Sequence, residues 1–227
     1  MKRVITALLA ALLALSLAAC GSRVETKKLA GTWTCTIDVT DRMNAAAEQA
    51  LGLSAADGTA QMPLQLVLTV TEDGAYTLRY DSDAVRTALD AYAAALHPAA
   101  VESVYAAAEE QGLSREEYDA AMEKAGITMD DMVAAIFAGV DEEELLSLLT
   151  GRSAALTGYC RAESRQLYLA DTAAELTETA DCLSYTLSDG TMTWTDAQGE
   201  LSSQLTEQEQ ELLRVPLTWT KRAEESK

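Results

Sequence analysis

The spacing of apolar and polar positions changes period twice along the chain. From Gly31 to Thr40, Trp33, Cys35, Ile37 and Val39 alternate with Thr34, Thr36 and Asp38. Period two, with β-branched and aromatic residues, predicts a half-buried strand. A short alanine-rich helix is predicted over 41–51 and a loop over 54–58. Leu64–Thr71 and Tyr76–Tyr80 predict a hairpin, turned at Glu72-Asp73-Gly74, where glycine accepts a positive φ. From Asp83 to about Thr150 the strand period is lost, and Ala, Leu, Met and Glu, which are good helix formers, take over. Several helices are predicted there. Asp83 is expected to cap the first, Ser114 with Glu117 and Thr128 with Asp131 to start the next two, and the acids Asp141–Glu144 to open a fourth. Gly112, Gly126, Gly139 and Gly151 sit where these helices should end. Period two returns at Thr157. It predicts hairpins from Tyr159–Ala162 with Gln166–Leu169, and from Leu183–Leu187 with Thr191–Thr195 across Ser188-Asp189-Gly190. Thr206–Glu209 is expected to cap a short helix. Val215–Thr220 is the last predicted strand, with Pro216 at its start or on an edge.

Eight strands with antiparallel neighbours are enough to close an up-and-down barrel, pairing the first strand with the last and leaving no edge. The expected fold is α+β, mainly β: an eight-stranded antiparallel barrel with an all-helical insertion between strands 3 and 4. The expected inward set is Trp33, Ile37, Leu66, Leu68, Tyr76, Leu78, Tyr80, Leu167, Leu169, Tyr185, Leu187, Trp194, Leu217 and Trp219. Burying one Leu-sized side chain is worth ~1.5–3 kcal/mol, so this set would stabilise a barrel by itself.

The N-terminus carries a different pattern. Lys2 and Arg3 precede an uncharged apolar run from Val4 to Leu17, which ends in Ala18-Ala19-Cys20-Gly21-Ser22. That order is a secretory signal peptide. The run is short for a bilayer span, which needs ~20 residues. The terminal cysteine resembles the lipobox of bacterial lipoproteins. The resemblance implies removal of residues 1–19, a lipid on Cys20, and anchoring on the extracytoplasmic face of a cell membrane. The expected organisation is a signal peptide (1–19), a lipid-anchored tether (20–29), a first part of the barrel (30–81), the helical insertion (82–150), a second part of the barrel (151–221) and a tail (222–227).

Charge narrows the partners. The whole chain carries −19, with 17 Lys and Arg against 36 Asp and Glu. Lys2 and Arg3 leave with the signal and no acid does, so the mature chain carries −21. Nucleic acid is excluded on this ground, since phosphates need Lys and Arg. Electrostatic docking on anionic lipid is disfavoured by the same balance. With Cys20 lipidated, Cys35, Cys160 and Cys182 remain, an odd number that leaves at least one thiol. Cys160 and Cys182 are expected in the barrel wall. Candidate chemistry is sparse. His97 is the single histidine, no His or Cys pair has metal-ligand spacing, and no glycine-rich phosphate loop follows a strand. No catalytic residue, metal site or cofactor is expected, and the chain is not expected to be an enzyme.

Gly31-Thr32-Trp33 heads the first strand, and Leu217-Thr218-Trp219-Thr220-Lys221 forms the last. These elements resemble the Gly-x-Trp motif and the closing strand of lipocalin-like (calycin) proteins. The resemblance implies that Trp33 plugs one barrel end against Lys221 or Arg222. It also implies a small apolar or amphipathic ligand, walled by Tyr76, Tyr80, Tyr185 and Trp194. About seventy residues of helix depart from the family pattern, either as a lid or as a separate surface. Two functions follow. One is a ligand-binding module. The other is a filled-barrel scaffold whose insertion contacts an envelope protein through Met129, Met132, Ile136, Phe137, Leu145 and Leu148.

Overall fold

The computed structural model describes residues 25–53, 60–137, 147, 155–198 and 214–223. A helical turn, α1 (residues 25–29), precedes the first strand. The strands are β1 (Gly31–Asp38), β2 (Pro63–Val70), β3 (Ala75–Tyr80), β4 (Leu156–Glu163), β5 (Gln166–Ala170), β6 (Asp181–Ser188), β7 (Thr191–Gln198) and β8 (Leu217–Lys221). They form a closed barrel in sequence order, with β8 antiparallel to β1. Helix α2 (Thr40–Leu51) separates β1 from β2. Helices α3 (Ser82–Glu110), α4 (Arg115–Ala125) and α5 (Met129–Phe137) separate β3 from β4. The chain divides into two compact units, the first within residues 1–35, 66–80 and 154–227, the second within 36–65 and 81–153.

The barrel's registers follow the alternation in the sequence. Leu66, Leu68 and Val70 of β2 stand opposite Tyr80, Leu78 and Tyr76 of β3. Across the next ladder Tyr76 faces Gly158, and this glycine is required for space. A Cβ there would come within 2.6 Å of the Ala170 carbonyl oxygen and 2.9 Å of the Tyr76 ring. The ring therefore covers the backbone that a side chain would otherwise occupy. On the last hairpin the register slips between Ser184 and Tyr185, a β-bulge that sets Tyr185 against Trp194. A bulge adds local twist, and here it lets both aromatic residues bury.

The inward set differs from expectation in four places. Leu187 is 38% exposed. It stands opposite Met192 beside the β6–β7 turn, beyond Ser184, where the β5–β6 ladder ends. Leu78, Tyr80 and Leu169 are half-buried, because they lie towards the strand ends remote from that turn. The interior gains Leu183 and Met192, each no more than 1% exposed. Residues 25–29 are helical, and Thr26 and Leu29 are buried. Pro216 precedes β8, which starts at Leu217, consistent with a residue that has no N–H for a ladder.

The second unit is built by caps and a small core. The first cap is Asp81, not Asp83. Its carboxylate accepts from the Ala84 N–H at 3.3 Å, and Asp83 falls inside the first turn. Ser114 and Glu117 form the expected capping box on α4. Thr128 and Asp131 bond reciprocally in the same manner. Gly112 and Gly126 follow α3 and α4, and the Leu113 and Ile127 N–H groups close back on Ala108 and Met122. Leu53, Ala100 and Val133 form a buried cluster, against which Leu51, Val101 and Ile136 pack. Helix α4 adds a polar attachment. Arg115 is bidentate on Glu102, bonds Glu109, and lies 4.7 Å from the Tyr105 ring centroid. Gly139, Gly151, Asp141–Glu144 and Thr206–Glu209 lie outside the described residues.

Candidate functional site: the closed barrel end and the inner wall

Each strand order alternates up and down, so one barrel end collects the start of β1, the end of β8 and the turns β2–β3, β4–β5 and β6–β7. Helix α1 sits at that end. The Thr26 hydroxyl accepts from the Ala162 N–H at 3.0 Å, a bond between residues 136 apart in sequence. Trp33, 1% exposed, donates its indole N–H to the Leu29 carbonyl at 2.7 Å. The Lys221 ammonium lies 5.3 Å from the centre of the Trp33 ring, a cation–π arrangement. Gly31 makes room for it. Its φ is +127°, and an added Cβ would come within 2.6 Å of Lys221 Cε. The glycine of the Gly-x-Trp element is thus tied to the position of the lysine. Arg222 extends the closure by donating its backbone N–H to the Thr32 carbonyl at 2.8 Å.

The four residues expected to wall a ligand do not form one patch. Tyr185 and Trp194 are cross-strand partners in the lower barrel, both buried. Trp194 also packs against Trp219, with ring centroids 4.8 Å apart and planes tilted by 46°. Tyr76 is buried over Gly158 near the closed end. Tyr80 is half-buried at the other end of β3. Sequence reasoning missed Leu156, which stands opposite Leu78 and is half-buried with it. It also missed Thr26 and Leu29, three apart on one helical face, a spacing short enough to pass for linker. Cys20 lies outside the described residues.

Fill decides what the interior can hold. A side chain lining a cavity wide enough for water keeps accessible area. Trp219 and Met192 keep none, and Trp33, Leu66 and Leu183 keep 1%. The lower barrel is therefore packed as an ordinary core. Two buried indole N–H groups, on Trp194 and Trp219, have no hydrogen-bond partner.

Burial also governs the titratable groups of the wall. No disulfide joins Cys35, Cys160 and Cys182. Burial pushes the Cys160 thiol up to about 12. It pushes Cys35 up to about 11, against a smaller lowering by the Thr218 backbone. Tyr185 rises to about 12 through burial, then through the Glu25 carboxylate. All three folded values exceed the ordinary values of 9.0 and 10.0. Their contribution to stability is thus complete below pH 9 and is lost as pH rises from there to about 12. The urea midpoint of the barrel should fall progressively from pH 9 upward, and an unchanged midpoint to pH 11 would contradict this burial. Cys182 is half-buried, so iodoacetamide should modify it well before Cys35 or Cys160 in the folded protein.

Comparison with protein-family models, curated proteins and solved structures finds no match to this chain.

Proposed function

We propose that the protein is an exported lipoprotein, held by a lipid on Cys20 at the extracytoplasmic face of a cell membrane. Its lipocalin-like barrel acts as a filled scaffold. The helices between β3 and β4 make protein contacts at the envelope. The signal-like segment ending in Ala19-Cys20 supports the address. Gly31-Thr32-Trp33, with Lys221 over the indole, supports the lipocalin-like reading. The observation that carries the scaffold reading is the packed interior around Trp33, Trp219 and Met192, since an eight-stranded barrel either holds one small ligand or is filled by its own side chains. No catalytic role is assigned. His97, the one histidine, is a surface residue 3.1 Å from the Asp130 carboxylate.

A specific observation favours a second reading, a shallow site for an apolar or amphipathic molecule. Leu78, Tyr80, Leu156 and Leu169 line the inner wall away from the closed end and are only half-buried. The unpartnered Trp194 N–H would give such a ligand a donor deeper in. Native mass spectrometry of the chain from Gly21 to Lys227, purified from its own host, separates the two. The scaffold reading expects the bare chain mass. A co-purified small molecule, lost on Leu78→Asp, would replace it with the ligand reading.

A further inference from the structure

We propose that the closed end of the barrel docks on anionic phospholipid headgroups, through Lys28, Arg165 and Lys221. The inference rests on the lipid-anchor reading of Cys20 and adds an orientation to it. Net charge alone argues against any anionic partner. The distribution of charge within the barrel unit reverses that argument for one end.

Six of the unit's eight described Lys and Arg lie at the closed end, and only Arg79 and Arg214 lie elsewhere. Five acids share that end: Glu25, Glu72, Asp73, Glu163 and Asp189. Two of them are engaged by bases of the same end. Glu72 is 3.1 Å from Lys27, and Glu163 is 3.6 Å from Arg161. Asp73 is held by the Thr71 hydroxyl, and one Glu25 carboxylate oxygen is buried. Lys28, Arg165, Lys221 and Arg222 are exposed. The opposite end of the same unit carries Asp171, Glu175, Glu178, Asp181 and Asp196 against Arg79 and Arg214. Among the described residues the closed end thus has six bases to five acids and the far end two to five, in a chain of net charge −19. An anionic surface attracts the first end and repels the second.

The tether makes this small asymmetry effective. Five residue steps separate Cys20 from Glu25, the first residue of α1, a span of at most about 17 Å. A lipid on Cys20 would therefore hold the closed end close to the bilayer, within about two Debye lengths at physiological ionic strength. Translational entropy is already lost to the anchor, so a modest attraction suffices to orient the barrel.

The test uses the lipid-bearing protein in vesicles of phosphatidylcholine, with and without phosphatidylglycerol. Lysine acetylation is followed peptide by peptide, and the N-terminal peptide reports the lipid on Cys20. Lys28 and Lys221 are expected to react at least about threefold more slowly on the anionic vesicles. High salt should abolish the difference. The double variant Lys28→Glu, Arg165→Glu, at two exposed positions, should remove the protection while leaving the anchored fraction unchanged. Equal rates for lipid-bearing protein would overturn the docking alone. A Cys20 without lipid would overturn the docking and the anchor together.

Discussion

Trp33→Ala is expected to lower the stability of the barrel by ~3–5 kcal/mol, the usual cost of removing a large buried aromatic side chain. Three losses combine. The indole is 1% exposed, so its removal leaves a cavity that α1 and the strand ends close only in part. The Leu29 carbonyl loses its donor at 2.7 Å, and an unsatisfied buried acceptor costs ~1–3 kcal/mol. Lys221 loses the ring beneath its ammonium, worth ~0.5–1 kcal/mol at an exposed site. These terms overlap, so they are not to be summed. Denaturant unfolding followed by tryptophan fluorescence reads the effect cleanly, because Trp194 and Trp219 remain and all three tryptophans belong to the barrel unit. Trp33→Phe keeps most of the volume and should recover more than half of the loss. A change below ~1 kcal/mol for the alanine variant would show that Trp33 is not a buried plug.

The second large effect is expected at Gly74. Its φ of +89° lies in the left-handed region, and a Cβ there would overlap the Cys160 carbonyl oxygen. The same stretch of backbone is anchored by the Cys160 N–H, which donates to the Gly74 carbonyl at 2.7 Å. Neither partner can retreat without opening β3 from β4. Left-handed strain costs ~1–2 kcal/mol and overpacking against rigid neighbours ~1–3 kcal/mol, giving roughly 2–5 kcal/mol for Gly74→Ala. Gly190→Ala is the matched control. Gly190 also has a positive φ, +76°, but an added Cβ would meet only Lys221 Cβ at 3.9 Å. That variant should therefore show the strain alone. Equal losses at the two positions would mean that the β2–β3 turn does not pack against β4 as described.

Much of the barrel is legible in the chain because strand burial alternates locally. Leu66 and Leu68, or Leu217 and Trp219, point inward by parity alone once the strand is recognised. The turns Glu72-Asp73-Gly74 and Ser188-Asp189-Gly190 are equally local, since the backbone conformation selects the residue. The Ser114 capping box is a four-residue signal and appears as expected. Parity does not say how deeply an inward residue is buried. Leu187 and Met192 are direct partners on one face, yet the first is 38% exposed and the second 0%. The two are equally far from the turn, but Met192 has β8 beside it, opposite Trp219, whereas the β5–β6 ladder ends at Ser184 and leaves Leu187 without a strand on its other side. The candidate wall shows the same limit. Tyr76, Tyr80, Tyr185 and Trp194 share an inward parity, but their heights in the barrel separate them.

Short-range patterning thus determined, without reference to any partner segment, the eight strands, the hairpin turns, the helical stretch between β3 and β4 and most of the inward face. Tertiary structure alone decided three things. It made residues 25–29 part of the barrel end, because the Thr26 hydroxyl meets the Ala162 N–H across 136 residues. It packed the interior around Trp33, Met192 and Trp219, because packing depends on side chains brought together from several strands. It gathered six described basic residues at one end of an acidic chain, because α1, the β4–β5 hairpin and the end of β8, remote from one another in sequence, are brought side by side only when the barrel closes.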